Sequence, residues 1–297
     1  MSRTEPMTPL NPSGAPFHRA KFGEIEICTV FEGSAARPIS ADFFRNVALG
    51  EVQDALEAGG FARDAIPNSY TVTIARIGGR LVMFDAGFGE HAGPQAGWLR
   101  RNMQAAGIAP ADLSAIVITH YHPDHIHGLM TKSLEQVYPD LPIHVPAAEH
   151  DFWSDPANET RMPESRLALA RRVRATMAGW PNLVPYADGD EVLPGIRAVA
   201  SPGHSAGHSS LLLGSGNDQV MVLGDVTNIP SFNMRHPGWH LAADDDPQLA
   251  EATRRSMLAR LAAERIPCTG YHWGMPGIGH VSACGDGGYQ LEVGAMD

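Results

Sequence analysis

The sequence predicts an α/β protein built on mixed β-sheets, and two observations lead there. Strand-like and helix-like runs are interspersed from Glu24 to Tyr271. Hairpin signals stand beside strand–helix steps, and a purely parallel, doubly wound sheet would carry none.

Glu24 to Val30 alternates polar and apolar residues, the pattern of a half-buried strand. Ala41 to Ala58 reads as a loop and a weak helix. Tyr70 to Ile77 alternates again, and Gly78-Gly79 turns the chain into Arg80 to Asp85. Trp98 to Ala106 is helical and closes at Gly107. Ala115 to Thr119 is a short buried strand running straight into His120. Ile126 to Val137 is expected to be helical, with His127 on its surface. Pro142 to Val145 is a strand and Ala147 to Trp153 a short helix. Ser165 to Ala178 is a helix exposing Arg171, Arg172 and Arg174, and Gly179 closes it. Ile196 to Ala200, Ser209 to Leu213 and Gln219 to Leu223 are strands, the last two joined by the hairpin loop Gly214 to Asp218. Pro247 opens the longest helix, which runs to Glu264, and Cys268 to Tyr271 is a final strand.

A chain of 297 residues can bury a large core. A net charge of −11 disfavours a partner that is nucleic acid or an anionic membrane. No apolar run reaches transmembrane length. The opening residues lack the apolar stretch of a secretory signal, so a cytoplasmic location is expected. Residues 1–20 read as a flexible, proline-rich arm and residues 21–297 as the folded domain. The 3 cysteines form no CxxC pair, which fits a reducing compartment.

The histidines carry the chemistry. His120, His122, His125 and His127 crowd one segment, and His204 and His208 a second. His120 and His122 follow a strand, and Pro123 favours an extended conformation at His122. Side chains two apart in an extended stretch point the same way, so this pair can grip one ion. Asp124 and His125 follow the proline bend and can face a second. Imidazole and carboxylate suit zinc, manganese, iron or cobalt. Further ligands stand at three other strand ends: Gly203-His204, Gly224-Asp225 and Tyr271-His272.

His120-Tyr121-His122-Pro123-Asp124-His125 resembles the HxHxDH motif of metallo-β-lactamase-fold hydrolases. Gly203-His204-Ser205-Ala206-Gly207-His208 resembles their GHTxGH, and Asp85-Ala86-Gly87 their early DTG. Met275 to His280 and Glu149 to Trp153 resemble segments of the methyl parathion hydrolase-like and lactonase-like group. The resemblance implies an αβ/βα sandwich of two mixed sheets with two divalent metal ions at one edge, zinc in the first instance and manganese, iron or cobalt as alternatives. It gives His120, His122 and His204 to one ion, Asp124, His125 and His272 to the other, and Asp225 to both. Asp85 steadies a ligand histidine, and His208 braces the site by hydrogen bonding. Phe88, Trp153, Trp239 and His240 are the candidate pocket residues. The resemblance also suggests a homodimer.

The implied activity is hydrolysis of a lactone or other ester in a small-molecule substrate, by a hydroxide shared between the metals, with Asp225 shuttling the proton and Asp124 beside it. Phosphotriester hydrolysis is the alternative. A large aryl triester needs aromatic walls, and the loop after Asp85 offers only Phe88, so lactones are expected to be preferred. A mononuclear-iron persulfide dioxygenase would use a subset of these ligands, and a metal-binding protein without turnover would not need the complete set. The short stretch after His272 leaves no place for the helical domain of a glyoxalase II-like enzyme.

Overall fold

Two seven-stranded sheets carry the site. In the first, the strands lie in chain order: β1 (Phe17–Phe22), β2 (Ile25–Pro38), β3 (Ala65–Ile77), β4 (Arg80–Phe84), β5 (Ala115–Val117), β6 (Ile143–Pro146) and β7 (Leu183–Tyr186). In the second they run from β8 (Glu191–Leu193), β9 (Ile196–Ala200), β10 (Ser209–Ser215) and β11 (Asp218–Val222) to β12 (Cys268–Thr269), β13 (Ile278–Ala283) and β14 (Tyr289–Glu292). Both sheets are mixed. β1 to β4 pair antiparallel and β4 to β7 parallel, whereas only the β11–β12 step is parallel in the second sheet. The computed structural model describes residues 11–293 apart from 161, 163, 179 and 181.

Period-two alternation decides what each face buries. In β4, Val82 and Phe84 point between the sheets, and Leu81 and Met83 point to the opposite face. In β10, Leu211 and Leu213 meet them from the second sheet while Leu212 points away. The inter-sheet layer therefore joins Ile27, Val82, Phe84, Leu211, Val222 and Ile278 into one core. The helices are α1 (Leu49–Ala58), α2 (Leu99–Ala105), α3 (Pro123–Ile126), α4 (Ala147–Ser154), α5 (Pro156–Glu159), α6 (Glu164–Ala178) and α7 (Pro247–Glu264). Leu99 and Met103 of α2 and Val173 and Met177 of α6 pack on the first sheet, and Met257, Leu258 and Leu261 of α7 on the second. Among the described residues, no helix is long and apolar enough to cross a membrane.

Three expectations need correction. Residues 17–20 are not arm: they belong to β1, paired with β2 through Phe17 to Val30. Residues 1–10 of the expected arm, and Gly179, lie outside the described residues. Ile126 to Val137 is not a helix. α3 ends at Ile126, a single 3-10 turn covers His127 to Leu129, and Thr131 Oγ1 accepts the Glu135 amide to form a turn. The Gly128 amide donates to the Gly87 carbonyl at 2.7 Å instead of to a carbonyl one turn back, and glycine permits the approach, since a Cβ there would come within 1.9 Å of the Ala86 carbonyl oxygen. His127 is consequently buried, with its ring edge-on to His91. Strands β7, β8, β13 and β14 have no counterpart in the sequence reading: β7, β8 and β14 span only 4, 3 and 4 residues, and Gly279 interrupts β13.

Candidate metal centre

Every candidate ligand leaves the end of a strand. The loop after β5 carries His120, His122, Asp124 and His125, while His204 follows β9, Asp225 follows β11 and His272 follows β12. The seven meet at one edge of the two sheets. They form three overlapping triplets: His120, His122 and His204; His120, His125 and Asp225; Asp124, His125 and His272. Within each, the ligand-type atoms lie within 4.8 Å of one another.

Asp225 stands between the outer two triplets. Its Oδ2 is 3.3 Å from His204 Nε2, 3.0 Å from His272 Nε2 and 4.0 Å from His120 Nε2. Its Oδ1 is 3.4 Å from His125 Nε2. Asp124 Oδ2 lies 3.3 Å from His272 Nε2 and 3.6 Å from His125 Nε2. Ligands about 2.1 Å from a tetrahedral ion are about 3.4 Å from each other, so these spacings fit donors around shared ions.

The outer nitrogens are tied down, which fixes where the inner ones point. His125 Nδ1 is 2.7 Å from Asp85 Oδ2, His204 Nδ1 2.9 Å from Asp244 Oδ1, and His272 Nδ1 2.7 Å from the Ser69 carbonyl. His120 Nδ1 faces Thr119 Oγ1 at 3.0 Å. On the inner side, His120 Nε2, His125 Nε2 and Asp225 Oδ1 are buried without a hydrogen-bond partner. Buried polar atoms are normally satisfied, so three that converge mark a place for a cation. The charges agree. Burial favours a neutral imidazole at His204 and His272, yet Asp225 with Asp244 pushes His204 up to about 10, and Asp225 with Asp124 pushes His272 up to about 9. The cluster attracts positive charge, and its donor set of imidazoles and carboxylates fits divalent cations.

Asp85 and His208 lie behind this cluster. Asp85 Oδ1 accepts the Thr119 amide at 2.7 Å, so one carboxylate holds both the start of the ligand loop and His125. His208 Nε2 accepts the Asp225 amide at 3.0 Å, and Ser201 Oγ lies 2.8 Å from its Nδ1. Gly224 allows this approach: a Cβ there would sit 2.7 Å from His208 Nε2, and its φ of +58° suits glycine. Burial pushes His208 down to about 3, keeping the ring neutral and able to accept.

A match to the family model of the metallo-beta-lactamase superfamily spans residues 64–270 of this chain. The chain belongs to the metallo-β-lactamase superfamily. Among curated relatives, it is 29% identical to a metallo-beta-lactamase domain-containing protein 1 of Xenopus laevis, over 54% of this chain and 55% of that one. It is 29% identical to an N-acyl homoserine lactonase of Bacillus cereus, over 41% of each. The chain thus spans about half the length of the curated relatives it matches. Among solved structures it resembles AidC, a dizinc quorum-quenching lactonase in complex with a product, with TM-score 0.88 and 24% identity over 95% of this chain and 98% of that one. At that identity the likeness shows the fold.

The superfamily scaffold opens onto a cavity of about 520 Å³ whose floor includes His122, Asp124, His204, Asp225 and His272. Its walls are largely apolar: Phe43, Ile66, Phe88, Ile229, Phe232 and Leu241. Arg37, Asn68, Asn228 and Asn233 add polar groups. Phe88 is thus in the wall, but three other pocket candidates are elsewhere. Trp153 is in the core beneath α4, because its indole N–H needs an acceptor and finds Glu149 Oε1 at 2.8 Å, one helical turn away. Trp239 stacks on His236 with centroids 4.2 Å apart. His240 is held by Glu251 of α7 at 2.7 Å. The walls are also more aromatic than the loop after Asp85 indicates, since Phe43 and Phe232 arrive from other segments.

Three carboxylates escaped the sequence reading as site residues. Asp244 holds His204. Glu149, fully buried, accepts the Tyr121 amide and the Trp153 indole on Oε1, and the Ser205 hydroxyl and Gly207 amide on Oε2. It thereby stitches the His120 loop to the His204 loop. Glu32 faces Phe88, Gly89 and Tyr271. The acidic run Asp244-Asp245-Asp246 before Pro247 was a visible signal for the first, although Asp246 alone is needed to cap α7.

Proposed function

We propose that the chain is a dinuclear metal-dependent hydrolase of lactones or related carboxylic esters. The observation that carries this reading is the cluster of seven ligand-type residues, with its orphaned inner atoms, at the floor of an apolar cavity. His120, His122 and His204 would hold one ion and Asp124, His125 and His272 the other, with Asp225 a donor to both. When bound, the ions, zinc in the first instance, supply Lewis acidity and lower the pKa of water. The apolar walls bind the acyl portion and exclude water, while Asn68 and Asn228 orient the polar end. The leaving alkoxide needs a proton. The attacking water gives up a proton; the Asp124 side chain is 15% exposed and that of Asp225 2%, so Asp124 would be the carboxylate placed to take that proton and pass it to the alkoxide, with Asp225 kept in the ligand set. The lactonase descriptions of AidC and the Bacillus cereus relative support this substrate class.

A second reading, aryl phosphotriester hydrolysis, is favoured by the three phenyl rings of Phe43, Phe88 and Phe232 in the cavity wall. Comparing kcat/KM for an acyl lactone series and for methyl parathion, with one zinc-loaded batch at one pH, separates the two. A lactone preference of about tenfold, or about 1.4 kcal/mol of differential transition-state binding, is expected. An equal preference for the triester transfers the assignment to the second reading.

A further inference from the structure

A β-bulge turns one carboxyl group toward the ligand loops. The pairing of β2 with β3 shifts register between Phe31 and Gly33, leaving Glu32 as the extra residue. Bulges re-aim a side chain in this way. Glu32 is fully buried. Its Oε1 accepts the amides of Phe88 at 2.7 Å and Gly89 at 3.3 Å. Glycine at position 87 makes room for it, since a Cβ there would sit 2.4 Å from Oε1. Oε2 lies 3.2 Å from the Tyr271 hydroxyl, which itself lies 2.5 Å from the Asp124 carbonyl oxygen.

Counting hydrogens assigns the protons. A tyrosine hydroxyl has one hydrogen to give, and a backbone carbonyl only accepts. The close contact with Asp124 uses that hydrogen. A hydrogen committed to a contact that close has little left for an acceptor at 3.2 Å, so the Tyr271 oxygen meets Glu32 best by accepting, and a carboxylate has nothing to donate. We propose that Glu32 is a neutral carboxylic acid in the folded protein and a positioning residue for the metal-ligand loop. Oε2–H donates to Tyr271 Oη, whose hydrogen goes to the Asp124 carbonyl, while Oε1 accepts from Phe88 and Gly89. One chain of hydrogen bonds thus fixes Asp124, the Tyr271 neighbour of His272, and the Phe88 wall of the cavity. Burial, with the Asp124 charge adding to it, pushes Glu32 up to about 8 against the opposing pull of the Phe88 and Gly89 amides. Tyr138 is a further titratable group, raised in its turn when Glu32 ionises. The inference holds whichever ester is cleaved.

Glutamine can replace both halves of this arrangement, accepting on Oε1 and donating from Nε2, and it never ionises. A folded-state value of about 8 against an ordinary 4.5 means the folded protein keeps the proton longer. Stability is therefore lost as pH rises through that window. Zinc-loaded wild type is expected to lose stability relative to Glu32→Gln as pH rises, in denaturant titrations across the window. Its infrared spectrum at the acidic end should contain a protonated-carboxyl band that Glu32→Gln lacks. Zinc affinity of Glu32→Gln should stay within about threefold of wild type, whereas Glu32→Ala loses about tenfold or more. Parallel stability profiles, an unchanged band, or a Glu32→Gln loss as large as that of Glu32→Ala would each overturn the proposal. If Glu32→Ala does not fold, the band and the stability profiles decide alone.

Discussion

Replacing Asp244 by alanine acts on two neighbours at once, and the two effects can be read separately. Asp244 Oδ1 is 2.9 Å from His204 Nδ1, and Oδ2 is 3.2 Å from the Arg254 guanidinium. The side chains of Asp244 and Arg254 are each 1% exposed. Arg254 also donates to the carbonyls of Val226, Pro237 and Trp239, so its stem and head stay trapped when the carboxylate goes. Removing one partner of a buried pair costs about 3–5 kcal/mol. At about 2–4 °C per kcal/mol for a large domain, the melting temperature should fall by roughly 6–20 °C. On the other face, His204 loses the group that orients its ring, which typically costs about 10–100-fold in metal affinity. Calorimetry and competition against a zinc chelator measure the two losses. Arg254→Met separates them, because it removes the trapped cation and leaves the His204–Asp244 bond: stability changes and zinc affinity stays within a few-fold. An Asp244→Ala protein melting within about 2 °C of wild type, with unaltered zinc affinity, would refute the reasoning.

The clustering of the seven candidate ligands was legible because each is a chemically distinctive residue placed after a strand, and strand ends gather at one edge when two sheets stack. The ladder of β3, β4, β10 and β11 was legible for a similar reason: alternation reports burial directly. Glu149 and Asp244 were not. Each reaches the site through groups far off in the chain, 28 to 58 residues for Glu149 and 40 for Asp244, and no local periodicity encodes that approach. The cavity walls were hidden likewise. Phe232 belongs to the satellite core with Phe44, Leu56 and Ile229, and Phe43 packs against it, so the wall they form is assembled from segments far apart in the chain. The false helix at Ile126 to Val137 failed for a tertiary reason as well. Apolar spacing fitted a helix, but the Gly128 amide donates to the Gly87 carbonyl instead of to one a turn back.

Chelation followed by titration with zinc should restore activity at about two equivalents per chain; saturation of both activity and binding at one equivalent would favour a mononuclear site. Asp225→Ala should lower turnover by orders of magnitude while the fold persists, because the residue lies at the sheet edge; near-wild-type kcat with both ions bound would remove Asp225 from the bridge. Glu149→Ala should act mainly on stability. The carboxylate accepts two backbone amides, one indole N–H and one hydroxyl, all buried. A buried donor left unsatisfied costs about 1–3 kcal/mol, so even if water reaches two of the four, the loss is about 2–6 kcal/mol. Two of these donors, Tyr121 N and Gly207 N, belong to the loops that carry His120 and His204, so zinc affinity should fall together with stability. Glu149→Gln keeps both oxygen-lone-pair positions only on one side: its amide nitrogen would face the donors at Ser205 and Gly207 or those at Tyr121 and Trp153. It should therefore recover less than half of the loss. Full recovery by glutamine in denaturant titrations would show that two acceptors suffice and that the four-donor account of this residue is wrong.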